Sequence, residues 1–171
     1  WKPFTHPLYG EVEIGGDRKF ASRVPPLFKL AETCHRNAAF VLYHADQLPR
    51  LSFERVRTVK VKDGLFQVDV LVANATVTPT ISAAALQKRL HRLDRIVAGG
   101  GAKLLAAGII TDPCRRQTRP CKVLRTALWV DGGIPGYGRT EFRLMIEGRG
   151  AAEIAYDSLK GGYRRMDVKL E

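Results

Sequence analysis

The chain has 171 residues and carries 28 Lys and Arg against 17 Asp and Glu, a formal charge of +11 with the histidines neutral. That length fits one ordinary domain, or one small domain with part of a neighbour attached. At 45% hydrophobic and 26% charged residues the composition is globular, and no apolar run approaches the roughly 20 residues needed to span a bilayer, which excludes a transmembrane helix.

The opening stretch WKPFTHPLYGEVEIGG alternates two carboxylates, Glu11 and Glu13, with the β-branched residues Val12 and Ile14. This reads as a strand with Val12 and Ile14 inward and the two acids outward. The first residue is Trp1 rather than Met, and the charged, apolar and small-residue succession of a signal peptide is missing, so the chain is expected to be a segment of something longer. The compartment stays open, a secreted or periplasmic one among the candidates.

Between Pro26 and Pro49 the apolar residues Leu27, Leu30, Ala31, Cys34, Ala38, Val41, Leu42 and Ala45 recur at spacings of three and four. That spacing predicts an amphipathic helix over 27–46, with Pro26 suited to its first turn and Pro49 marking its end. Glu32, His35, Arg36 and Asp46 fall on or near its polar side.

From Leu51 the period changes to two. Phe66, Val68, Val70 and Val72 share one face of a strand, opposite Gln67 and Asp69, and Asp63-Gly64 in VKVKDGLFQVDV is a hairpin turn signal. Strand-like segments return at 122–130, 140–147, 151–156 and 164–170, separated by DGGIPGYG, EGRG and LKGG. Short strands between glycine turns predict an antiparallel sandwich. In SAAALQKRLHRLDRIVAGGG, by contrast, Leu86, Leu90, Leu93 and Val97 lie at helical spacing ahead of three glycines, which predicts a short helix inserted between strands. The chain thus divides near residue 50, into 1–50 and 51–171.

Candidate chemistry is sparse. A carboxypeptidase-type zinc site needs a His and a carboxylate close in sequence, a distal third ligand and a Glu as general base. Only His91-Arg-Leu-Asp94 approaches the first element, and no histidine follows it. The pairs Glu32 with His35 and His44 with Asp46 read as surface contacts on a helix. Cys34 lies on the apolar helix face, where a buried, inert thiol is the default. Cys34, Cys114 and Cys121 fit no zinc-knuckle spacing, and an odd number cannot all pair; Cys114 and Cys121, which flank RRQTRP, would close a small loop in an oxidising compartment. Neither AGGGAK nor DGGIPGYGRT matches the phosphate-loop pattern, so both read as turns. Asn74-Ala75-Thr76 satisfies the glycosylation sequon.

Two blocks carry a resemblance. The segment from Trp1 to Leu51, with its His-Pro, Gly-x-Val-Glu-Ile-Gly-Gly and Asn37-Ala38-Ala39-Phe40, is similar to the end of the catalytic domain in large bacterial zinc carboxypeptidases, the carboxypeptidase A-like metallopeptidases. The segment VDGGIPGYGRTEFRLMIEGRGAAEIAYDSLKGGYRRMDVKL resembles the close of the β-sandwich that follows that domain. The resemblance implies a mainly β chain: an antiparallel sandwich of immunoglobulin or transthyretin type, preceded by a strand and a helix left from an α/β peptidase domain. It implies a parent that hydrolyses C-terminal peptide bonds of peptide or protein substrates with zinc-activated water. The zinc ligands and the catalytic Glu of the family lie upstream of the position equivalent to Trp1. Glu11 and Glu13 therefore inherit no role, and no catalytic, cofactor or metal residue is assigned in this chain. Its expected part is that of a non-catalytic accessory segment packed on the peptidase domain.

The rival reading is a basic module for nucleic acid or another polyanion, using Lys88, Arg89, Arg92 and Arg95 with Arg115, Arg116 and Arg119. Both clusters lack the interleaved aromatics on which single-strand binders stack bases, which leaves only a weak polyanion contact to expect. Trp129, Tyr137 and Tyr163 are too scattered to argue for a carbohydrate-binding face.

Overall fold

The computed structural model describes residues 1–17, 24–124 and 126–171. The chain forms two units, Trp1–Asp46 and Gln47–Glu171.

In the first unit, the strand predicted around Glu11 is one arm of a hairpin. Strand β1 (Lys2–His6) pairs antiparallel with β2 (Gly10–Ile14), with Phe4 opposite Val12 and Thr5 opposite Glu11. Gly10 takes φ +72 where the turn re-enters β2, a conformation open to glycine at little cost. Val12 is half-buried and Ile14 is exposed, so the inward face expected for this pair is only partly covered. One turn of 3-10 helix, Leu27–Lys29, then leads into α1 (Leu30–Asp46), as the three-and-four spacing predicts. No residue of α1 is buried; Phe40, Val41, Leu42 and Tyr43 are each more than 60% exposed.

The second unit is an antiparallel β-sandwich, the class read from the sequence. Its long hairpin joins β3 (Leu51–Lys62) to β4 (Leu65–Asn74) through Asp63-Gly64, with Gly64 at φ +72. After α2 (Ala83–Lys88) follow β5 (Asp94–Gly99), β6 (Lys103–Asp112), β7 (Gln117–Cys121), β8 (Val123–Leu124) and β9 (Ala127–Val130). The chain closes with β10 (Arg139–Glu147), β11 (Gly150–Ser158) and β12 (Gly162–Leu170). One sheet has the order β3-β4-β10-β6-β7 and the other β12-β11-β5-β9-β8.

The inner faces of the two sheets meet in one core. Phe66, Val68, Val70 and Val72 of β4 are all buried, as their alternation predicts, together with Phe142, Leu144 and Ile146 of β10. From the opposite sheet come Ile96, Leu128, Ile154 and Tyr156. Each such side chain stabilises the fold by roughly 1.5–3 kcal/mol relative to an exposed position.

Three features differ from the sequence reading. The inserted helix is only Ala83–Lys88, capped by Ser82, whose Oγ accepts from the Ala85 N–H at 3.3 Å, and ended by Arg89 in the left-handed region at φ 50. Leu93 and Val97 do not continue it. The segment from Asp94 instead pairs with β9 and β11, because strand geometry sends Ile96 into the core while Val97 faces away from it. The three glycines end this strand rather than a helix, with Gly100 at φ +71 and Gly101 at φ +83 carrying the turn to β6.

Strand β6 itself has no counterpart in the sequence reading. Its centre is Ala106-Ala107-Gly108, a run of weak strand formers. At Gly108 a Cβ would lie 2.5 Å from Thr118 Cγ2 and 2.6 Å from the Arg119 carbonyl oxygen, so glycine there is what lets β7 lie close. The predicted strand at 122–130 is split between β8 and β9, and Arg125 between them lies outside the described residues.

Candidate ligand-binding cleft

A cleft of about 650 Å³ opens between the end of α2, the loop that follows it and strands β8 and β9. Its size lies within the range usual for small-molecule sites. Ile81, Leu86 and Leu93 line it from the α2 side, Leu124 and Trp129 from the strands. The polar groups on its walls are Arg89, His91, Arg92, Lys122 and Asp131.

Each wall has a local cause. The left-handed Arg89 breaks α2 and turns the chain so that residues 90–93 run back toward β5. Pairing of β5 with β9 sets Arg95 opposite Trp129, and the Arg95 guanidinium lies 5.9 Å from the centre of the indole, within cation–π range. Asp157 of β11 holds both neighbouring arginines: Arg92 donates to its Oδ1 at 2.7 Å and Arg95 to its Oδ2 at 2.8 Å. Burial opposes ionisation of Asp157, but these two hydrogen bonds and charges outweigh it and hold the carboxyl below its usual pKa. Arg92 and Arg95 are therefore fixed in place and partly neutralised. Arg89 and Lys122 are exposed and have no acidic partner among the described residues.

Two buried polar atoms near the cleft lack hydrogen-bond partners among the described residues: His91 Nε2 and Asp94 Oδ1. The His91 Nδ1 lies 2.9 Å from the Arg92 carbonyl oxygen. A carbonyl can only accept, so Nδ1 carries the proton and Nε2 is the free position of the ring. Asp94 is buried in the sandwich, where its Oδ2 accepts from the Tyr156 hydroxyl at 2.9 Å. Burial, reinforced by the charge of Asp94, raises the Tyr156 pKa far beyond its usual value, so this phenol stays protonated and serves as a fixed donor. The neighbouring Thr80 Oγ1 accepts from the Ile134 N–H at 2.8 Å, and a Cβ at Gly133 would collide with that hydroxyl.

His91 and Asp94, the closest approach to a zinc motif in the sequence, therefore have separate surroundings. No group of three His, Cys, Asp or Glu side chains that could hold a metal ion occurs among the described residues, so the residues present do not fit a zinc site. No helix among them is long and apolar enough to cross a membrane.

The second basic cluster is engaged in structure. Arg116, at φ 55 in the β6–β7 turn, donates to Glu141 Oε1 at 2.8 Å and to Asp69 Oδ2, while Arg143 donates to Asp69 Oδ1 at 2.8 Å. Asp69, placed by the alternation on the outer face of β4, is only 2% exposed because these two arginines cover it. Burial works against its charge, yet Arg143 and Arg116 prevail and lower its pKa. The sequence reading offered Arg116 to a polyanion; in the fold it is spent on Asp69 and Glu141.

Other singled-out residues have structural partners. Glu32 pairs with Arg36 at 2.6 Å on the exposed side of α1, and His44 lies 6.0 Å from the Phe40 ring. Asn74 of the sequon is buried: its amide nitrogen donates to the carbonyls of Thr78 and Pro135, and its Oδ1 accepts from the N–H groups of Arg50 and Thr76. It is a tie between loops, not an accessible acceptor for a glycan. The three cysteines are free, and Cys34, expected to be buried, is exposed along with the rest of the apolar face of α1. Cys121 faces Ala107, whereas Cys114 lies in the turn beyond the Asp112–Gln117 pair. Four strand positions alone span about 13 Å, and a disulfide needs Cα atoms within about 7 Å, so the small loop does not close.

Trp129 and Lys122 are the cleft residues that sequence reasoning did not join to the cluster at 87–95. Nothing in their spacing could have done so, because the β5–β9 ladder brings Trp129 there and Lys122 follows through its carbonyl, which accepts from the Trp129 N–H at 3.4 Å.

Residues 50–169 match the model of DUF8731, a domain of unknown function, and the chain belongs to that family. No curated protein matches the chain.

Proposed function

We propose that the chain is a non-catalytic accessory segment of a zinc metallocarboxypeptidase-like protein, in which 51–171 is a sandwich module and the hairpin and helix before it are the end of the peptidase domain. The observation that carries this reading is the contrast in burial. The sandwich has a closed core of its own, whereas α1 displays an apolar stripe with no buried residue. Contiguous apolar surface of this kind is characteristic of an interface, and a peptidase domain is the partner that the opening block's resemblance implies. In that setting the segment packs on the parent while the parent binds peptide or protein and hydrolyses its C-terminal bond.

The rival polyanion reading draws support from Arg89 and Lys122, which line the same cleft as Trp129. It loses Arg116 to Asp69 and Glu141, and much of the charge of Arg92 and Arg95 to Asp157.

The test is made on the full-length gene product from its host. It is expected to contain zinc and to release C-terminal residues from peptides in a chelator-sensitive manner, while residues 1–171 alone do neither. A full-length product without that activity contradicts the peptidase reading, and an active 1–171 segment contradicts the accessory role.

A further inference from the structure

We infer that the cleft beside α2 binds a small organic carboxylate with an apolar tail, of the class of a medium-chain fatty acid. The inference stands without the peptidase reading, because it rests on the cleft alone. Its floor is aliphatic and aromatic, from Leu86, Leu93, Leu124 and Trp129, and it has the volume of a ligand site rather than of a packing defect. Its rim carries Arg89 and Lys122, two cations that no acidic side chain among the described residues neutralises.

The charge on the walls selects the head group. Asp157 is shared between Arg92 and Arg95, and Asp131 stands on the same rim without an ion pair to Arg89 or Lys122, so the described lining keeps an excess of positive charge that an anionic head group complements. A neutral apolar ligand would leave that charge without a partner, and a polyphosphate would meet Asp131 and an apolar floor. Trp129 is held by Arg95 on the strand side, so the floor is ordered before anything binds.

The experiment uses the whole chain. It contains two tryptophans, Trp1 and Trp129, so Trp1→Phe leaves Trp129 as the only indole reporter. Terminally brominated octanoate, a contact quencher of indole fluorescence, is titrated against this protein, with the matching brominated alcohol as the neutral comparison. Saturable quenching by the acid, with the alcohol at least about tenfold weaker, is expected. Arg89→Gln combined with Lys122→Gln is expected to weaken the acid by at least about tenfold and leave the alcohol unchanged. Lys122→Gln alone, at a position with no unusual backbone angle, should move in the same direction and serves if the double variant misfolds. No saturable quenching up to millimolar acid, equal binding of acid and alcohol, or wild-type affinity in both variants would overturn the inference. So would displacement of the acid by oligothymidylate at lower concentration, which would assign the cleft to nucleic acid.

Discussion

Helix α1 and strand β4 both carry an apolar stripe that is plain in the sequence, and the two stripes meet opposite fates. In β4 every residue of the stripe is buried, while in α1 none is. The difference teaches that periodicity identifies which residues share a face but not what covers it. Cover comes from elsewhere in the chain: β4 lies between β3 and β10 and faces the second sheet, and among the described residues the first unit offers α1 only a short hairpin and one helical turn. A 17-residue helix has little stability from propensity alone. The sandwich thus has a core of its own, and α1 is the element whose apolar stripe is left exposed.

The strongest way to break this contrast is to attack the covered stripe. Val70→Asp places a carboxylate where a fully buried methyl pair sits, and a loss of about 4 kcal/mol or more, or failure to fold, is expected in urea denaturation. Unchanged stability would mean that β4 does not line the core. Asn74→Ala should come next, at about 2–3 kcal/mol, because it strands the N–H groups of Arg50 and Thr76 and two carbonyls together. Tyr156→Phe removes one hydrogen bond and leaves buried Asp94 without its donor, so about 1–2 kcal/mol is expected by the same assay.

A subtler probe is acid. Asp69 and Asp157 have their folded pKa values lowered by arginine partners. Such groups stabilise the fold fully above the unfolded carboxylate value of about 3.9, and the contribution is lost as pH falls through the lower folded values. The urea midpoint is therefore expected to hold from neutrality to about pH 4 and to decline below it. In Asp69→Asn the decline should be shallower, from a lower starting stability. An equal slope in that variant would show that Asp69 is not a titrating anchor of β7. The smallest effect is expected on the uncovered stripe: Phe40→Ser, at 65% exposure, should shift the sandwich midpoint by less than about 0.5 kcal/mol.

How much of this was legible depended on whether one element could announce itself. The β3–β4 hairpin, the core face of β4, the last three strands and α1 were readable, because each has a clean period and explicit turn residues. Residues 82–99 were misread because Leu86, Leu90, Leu93 and Val97 fit a helical period while Asp94, Ile96 and Ala98 fit an alternating one. Pairing with β9 and β11 decides between them, and pairing is not local. Strand β6 was hidden by its small residues, whose purpose is the close approach of β7. The cleft was illegible for a related reason: Arg89 and Arg92 stand far before Trp129 in the chain and come beside it through the β5–β9 ladder, while only Lys122 is its near neighbour in sequence. The alternation put Asp69 on the face away from the core, and nothing in its neighbourhood of sequence indicates that Arg116 and Arg143 fold over it.

Amide hydrogen exchange on the intact, strictly monomeric chain tests the central claim most directly, because it compares the two stripes in one sample. Amides of β4 and β10 are expected to exchange only through global opening, while those of 30–46 exchange faster by a factor on the order of a thousand or more. Equal protection of α1 and the sandwich strands in that monomer would contradict the account, since it would show that the helix already has the cover we assign to a partner.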